Sequence, residues 1–81
     1  MEVNNLRNKK VLILGFSNTG IAAAKYFKKR GVDVYISESS ELKEKNRDIY
    51  EELIKEGIKI EFGGHSDEFI DGSIFCILSP S

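Results

Sequence analysis

Short continuous apolar runs alternate with segments of helical period along this chain. Val11-Leu12-Ile13-Leu14 is unbroken, β-branched at two positions and stopped by Gly15. Such a run suits a strand buried on both faces of a parallel sheet. From Thr19 to Arg30 the period changes: Ile21, Ala24 and Phe27 recur at intervals of three, with Ala23 beside them. That stripe, with three consecutive alanines, predicts a helix packed on the sheet with Phe27 in the interface. Gly31 stands where the helix C′ residue needs a left-handed backbone. Val32 to Ser37 is the second strand, followed by the polar loop Glu38-Ser39-Ser40.

A charged amphipathic helix is expected from about Glu41 to Glu56, with Leu42, Ile49, Leu53 and Ile54 inward and Ser40 or Asn46 as N-cap. Glu41–Lys45 and Glu51–Lys55 have the favourable spacing for ion pairs on its solvated face. Gly57 ends it. Ile58 to Phe62 alternates apolar and charged residues, as a strand at a sheet edge does. The loop Gly63-Gly64-His65-Ser66 follows, then a single helical turn from Asp67 to Ile70, then the apolar strand Ile74 to Leu78. The order is β-α-β-α-β-turn-β. Right-handed crossovers make this an α/β, Rossmann-like three-layer domain with a parallel sheet of about four strands. The expected strand order is 3-2-1-4, with the first and fourth strands central and the third at an edge.

Composition narrows the functional classes. With 81 residues there is room for one domain and one core. Twelve Lys and Arg against thirteen Asp and Glu give a net charge of −1, so there is no electrostatic footprint for nucleic acid. Lys28-Lys29-Arg30 complements a helix dipole instead. No apolar run is long enough to span a bilayer, and Met1 to Lys10 has no signal-peptide core. Cys76 is the single cysteine, read as filler in the last strand, and a cytoplasmic location is expected.

Ligands of such sheets bind beyond the carboxyl ends of the strands. Three segments meet that condition: Gly15 to Gly20, Glu38 to Ser40, and Ser79 to Ser81. The first is the strongest, because a strand that turns through glycine into a helix leaves the first helical N–H groups unpaired. With the helix dipole they suit a phosphate or diphosphate. Asn18 and Thr19 can donate there, Gly15 permits the turn, and Gly20 permits close packing of helix on strand. Glu38 lies eighteen residues past Gly20, about where a ribose- or base-reading carboxylate is expected. Ser17 occupies the position where a dinucleotide fingerprint wants glycine, which argues against NAD. His65 has no second ligand at metal spacing, so no metal site is expected. It reads as a loop residue. Gly20 is followed by Ile21-Ala22 and not Lys-Ser or Lys-Thr, so this turn is not a P-loop for ATP.

Taken in order, Lys9-Lys10-Val11-Leu12-Ile13-Leu14-Gly15, the turn closing on Thr19-Gly20, Ala22-Ala23-Ala24-Lys25-Tyr26-Phe27, Arg30-Gly31-Val32, Gly63-Gly64-His65 and Ser79-Pro80 carry a resemblance. From about Leu6 to Pro80 the chain resembles the N-terminal domain of the UDP-N-acetylmuramoyl-L-alanine:D-glutamate ligases, in the Mur ligase family. The resemblance implies a three-domain cytoplasmic enzyme of peptidoglycan synthesis. Its first domain grips UDP, the central one uses ATP and Mg, and the last receives D-glutamate. By that resemblance Ser17, Asn18, Thr19 and Gly20 would hold the diphosphate. Glu38 and Ser39 would read the uracil, with Ser40 beside it, and Ser79 and Pro80 would border the site. The central and C-terminal domains would be partners absent from these residues. The 81 residues are expected to bind substrate without catalysing anything and to need no cofactor of their own. An NAD- or FAD-binding module, a regulatory domain of the same fold and the sister ligases that add L-alanine stay open as alternatives.

Overall fold

The computed structural model describes residues 3–78. Four strands, β1 (Lys10–Leu14), β2 (Asp33–Glu38), β3 (Lys59–Phe62) and β4 (Ser73–Leu78), form one sheet in the order β3-β2-β1-β4. All three pairings are parallel, with Leu12 beside Tyr35 and Cys76, and Ile36 beside Ile60. Helices α1 (Asn18–Lys28) and α2 (Arg47–Lys55) and the single turn α3 (Asp67–Ile70) connect them, with 3-10 turns at Val3–Leu6 and Glu44–Asn46.

Alternation along the strands separates two faces. Val11, Ile13, Val34 and Ile36 are fully buried and cluster with Ala24 of α1, Leu53 of α2 and Leu6 from the N-terminal turn. Both long helices therefore cover one face, as successive right-handed crossovers in one direction require. The third layer is slight. On the other face Phe69 of α3 packs edge-on against Tyr35 with ring centroids 5.2 Å apart. Lys10 Nζ donates to the carbonyls of Glu68 and Asp71 at 3.0 and 2.7 Å, which ties α3 to the start of β1.

Both long helices end in the same way. Val32 N–H donates to Phe27 O at 3.2 Å and Gly31 N–H to Lys28 O at 3.1 Å, with Gly31 at φ +82°. Ile58, Leu53, Gly57 and Ile54 repeat the pattern, with Gly57 at φ +92°. Only a left-handed residue closes this pair of bonds, which is what glycine supplies at low cost.

The structure corrects several expectations. β4 is not central: among the described residues it has one neighbour, β1, and Ile74, Cys76 and Leu78 are exposed, Leu78 at 77%. Apolar content reports the chemistry a strand carries, and not how many strands flank it. Cys76 accordingly is not core filler. Phe27 is only partly buried, at the rim of the core rather than within it. The second helix starts at Arg47, after the 3-10 turn, so Glu41 and Leu42 lie outside it and Ile54 is 41% exposed. Asn46 precedes it without a side-chain cap bond. The ion pairs among the described residues are Lys25–Glu52, Glu44–Arg47 and Asp33–Lys59, and not the two i,i+4 pairs expected. Two of these, Lys25–Glu52 and Asp33–Lys59, join residues far apart in the chain, which sequence spacing does not reveal.

Candidate functional site

The chain leaves β1 through Gly15, at φ +110°, whose N–H donates to Ser37 O at 2.9 Å and extends the ladder by one residue. Phe16 and Ser17 then turn it into α1. Ser17 is the N-cap: its backbone is extended at φ −129°, and its Oγ accepts from Gly20 N–H at 3.3 Å. The residue standing where a fingerprint glycine is expected thus satisfies one of the orphan amides of the helix start. Gly20 is buried, consistent with a packing role. The amides of Asn18 and Thr19 remain in the first turn, at the positive end of the dipole.

At the end of β2, Glu38 turns its carboxylate back on the backbone. Oε1 accepts from Phe16 N–H at 2.7 Å and Oε2 from Ser40 N–H at 2.8 Å. The Phe16 amide, then that of Ser40, hold the carboxyl below the usual glutamate range against the opposing effect of burial. Glu38 therefore clamps the glycine turn to the loop after β2. A third segment joins them: Gly63 N–H donates to Ser40 O at 3.0 Å and Gly64 N–H to Glu38 O at 3.4 Å.

A cleft of about 440 Å³ opens where these loops meet. Its apolar wall is Phe16 and Phe62, whose rings meet edge-on at 5.1 Å, with Tyr50 against Phe62 at 5.7 Å. Ser17, Asn18, Ser40 and Asn46 give it hydrogen-bonding groups, Lys43 and Lys45 give it positive charge, and Glu38 and Glu41 complete the rim. The two lysines are matched in formal charge by Glu38 and Glu41, so the aromatic wall and the helix N-terminus are what suit a ligand with a flat ring and an anionic tail.

Of the residues expected from sequence, Ser17, Asn18, Glu38 and Ser40 line this cleft. Thr19 and Ser39 are exposed beside it, and Gly20 is buried beneath it. Ser79 and Pro80 lie outside the described residues. His65 is exposed and outside the cleft lining. Phe16 lines the cleft as part of the expected turn without having been given a role, and Glu41, Lys43, Lys45, Asn46 and Phe62 line it and were not foreseen. Their signal was available at the carboxyl ends of β1, β2 and β3: Phe16 follows β1, residues 41–46 follow β2 and Phe62 ends β3. Among the described residues no group of three or more His, Cys, Asp or Glu side chains is placed to hold a metal ion. No helix there is long and apolar enough to cross a membrane.

The parallel sheet, the glycine turn feeding α1 and the cleft at the carboxyl ends of β1 and β2 define a Rossmann-like α/β domain. Solved structures agree on the fold. Precorrin-2 dehydrogenase SirC superposes with a TM-score of 0.70 at 16% identity, covering 94% of this chain and 36% of its own. A bacillithiol disulfide reductase from Bacillus cereus gives 0.69 at 18% identity, over 95% of this chain and 30% of its own. No protein-family model matches the chain. Individual sequences do. UDP-N-acetylmuramoylalanine–D-glutamate ligase of Chloroherpeton thalassium is 38% identical over 80 residues, and that of Streptococcus equi subsp. zooepidemicus 33% over 76. These alignments cover 99% and 94% of this chain but only 17% and 16% of the relatives. The chain belongs to the UDP-N-acetylmuramoylalanine–D-glutamate ligase family and spans about one sixth of the length of those relatives.

Proposed function

We propose that this chain holds the UDP moiety of UDP-N-acetylmuramoyl-L-alanine in a ligase that adds D-glutamate to this peptidoglycan precursor at the expense of ATP. The observation that carries the reading is the cleft, which brings Ser17 and Asn18 at the start of α1 together with Phe16, Phe62, Lys43 and Lys45 in one lining. In this reading the diphosphate meets the amides of Asn18 and Thr19 and the two ammonium groups. The uracil ring lies against the aromatic wall near Glu38, Ser39 and Ser40. The residues Gly-Lys-Thr or Gly-Lys-Ser of a P-loop do not occur in these 81 residues. Phosphoryl transfer and amide formation would thus fall to other parts of the enzyme, and this piece would bind without catalysing.

Amide chemical-shift titration with UDP tests the reading. Residues 16–21 should move first, with a second group at 38–46. Replacing both Lys43 and Lys45 by Ala should weaken binding about tenfold or more, and added salt should weaken the wild type in the same direction. NAD should move these resonances weakly, because Ser17 stands where a dinucleotide fingerprint needs glycine for close approach of the pyrophosphate. Saturable shifts with NAD and none with UDP would replace this reading by a dinucleotide one.

A further inference from the structure

On the sheet face away from α1 and α2, the hydroxyl of Ser37 is fully buried at the end of β2. Its Oγ lies 2.7 Å from Glu61 Oε2, 2.6 Å from His65 Nδ1 and 3.2 Å from Gly64 O. A serine hydroxyl has one proton to give and lone pairs to receive others. An ionised carboxylate and a carbonyl can only accept. The proton therefore goes to Glu61, the short and charged contact. Once it is spent there, Nδ1 can stand 2.6 Å from Oγ only by carrying a proton and donating it. In the reverse arrangement, with Ser37 donating to a bare Nδ1, two oxygens would face each other at 2.7 Å with no proton between them. Glu61 Oε2 also accepts from Ser66 N–H at 2.9 Å. Burial alone would raise the Glu61 carboxyl. The hydroxyl of Ser37 and the amide of Ser66 outweigh it and keep the group below its usual range.

We propose that His65 is a positioning residue for the cleft, held in the Nδ1–H form by a directed chain from His65 Nδ1–H to Ser37 Oγ–H to Glu61 Oε2. The inference rests on the nucleotide reading of that cleft. The chain anchors residues 64–66 to Ser37 and Glu61. The same loop, through the amides of Gly63 and Gly64, holds the carbonyls of Ser40 and Glu38. Ser40 and Glu38 are cleft residues. His65 thus acts on the site without lining it, by fixing the loop whose amides hold the carbonyls of Glu38 and Ser40.

The first test needs no ligand. Long-range proton–nitrogen correlation spectra of the neutral imidazole should show the proton on Nδ1 and an unprotonated Nε2. A protonated Nε2 with bare Nδ1 in the wild type would overturn the proposal. The second test compares variants. His65→Asn keeps an N–H donor near the Nδ1 position and should bind UDP within about threefold of wild type, whereas His65→Leu should bind about tenfold more weakly. Equal binding by His65→Leu and wild type would also overturn it. If His65→Leu does not fold, Ser37→Ala replaces it, and the fraction of Nδ1–H form must fall. If the wild type binds no UDP, the nucleotide reading fails by itself. The proposal is then decided on the ligand-free chain, where the amides of residues 38–40 must shift in His65→Leu and stay in place in His65→Asn.

Discussion

Ser17 and Glu38 carry the largest gap between residue type and residue role. By type, Ser17 reads as a polar group on a candidate phosphate turn and Glu38 as an acid where a ribose- or base-reading carboxylate is expected. In the folded chain each first satisfies backbone amides, Ser17 that of Gly20 and Glu38 those of Phe16 and Ser40. Ser17→Ala should therefore cost about 1 kcal/mol and Ser17→Gly only a few tenths, read by chemical denaturation. Glu38 and Glu61 both titrate below their ordinary value in the folded chain. Their contribution to stability is fully present above the unfolded glutamate value of about 4.3 and is lost as pH falls through the folded values. The melting temperature should accordingly drop on acidification from about pH 5 to 3. Glu38→Gln should start lower at pH 7 and drop less over the same interval. An equal slope in both proteins would show that the carboxylate clamp contributes nothing.

The elements differ in how firmly they are held. Leu53 of α2 is fully buried, while Phe27 of α1 sits at the core's rim. Leu53→Ala should cost about 2–5 kcal/mol, a large share of the 5–15 kcal/mol that holds a typical domain together. Phe27→Ala should cost less than the ~3–5 kcal/mol of a fully buried phenylalanine, so that the two variants rank Leu53 first despite the larger ring of Phe27. A reversed order in urea denaturation would mean that α1, not α2, closes the core. Periodicity placed both helices. It overextended the second, because the charged residues 41–46 fit a helical pattern as well as they fit a loop and a 3-10 turn. The 3-10 turn Glu44–Asn46 precedes α2, and the buried anchor of the helix is Leu53 in its second half.

Among the described residues the topology leaves one side of the sheet open at β4. β4 carries no charge or proline from Ser73 to Leu78, and Ile74 and Leu78 are exposed along the sheet's edge. Edges of that kind invite pairing with other chains. In the isolated 81-residue chain, Leu78→Lys should raise the soluble concentration while changing unfolding free energy by no more than about 0.5 kcal/mol, the range of surface substitutions. Aggregation unchanged by that substitution, measured by light scattering, would place the sticky surface elsewhere.

The order of elements, the parallel sheet and its 3-2-1-4 arrangement were legible in the chain because they follow from local hydrophobic period and from the fixed hand of crossovers. The glycine turn and the end of β2 were legible as candidate ligand segments for the same reason, since strand ends are defined by local pattern. The cleft's aromatic wall was not. Phe16 and Phe62 are 46 positions apart and meet only because β1 and β3 flank β2 at the same height. Nor could spacing show that Glu38 would spend its carboxylate on the backbone, or that Ser37, Glu61 and His65 would share one hydrogen-bond chain. Such contacts depend on register between strands, which side chains separated along the chain acquire only when the sheet closes.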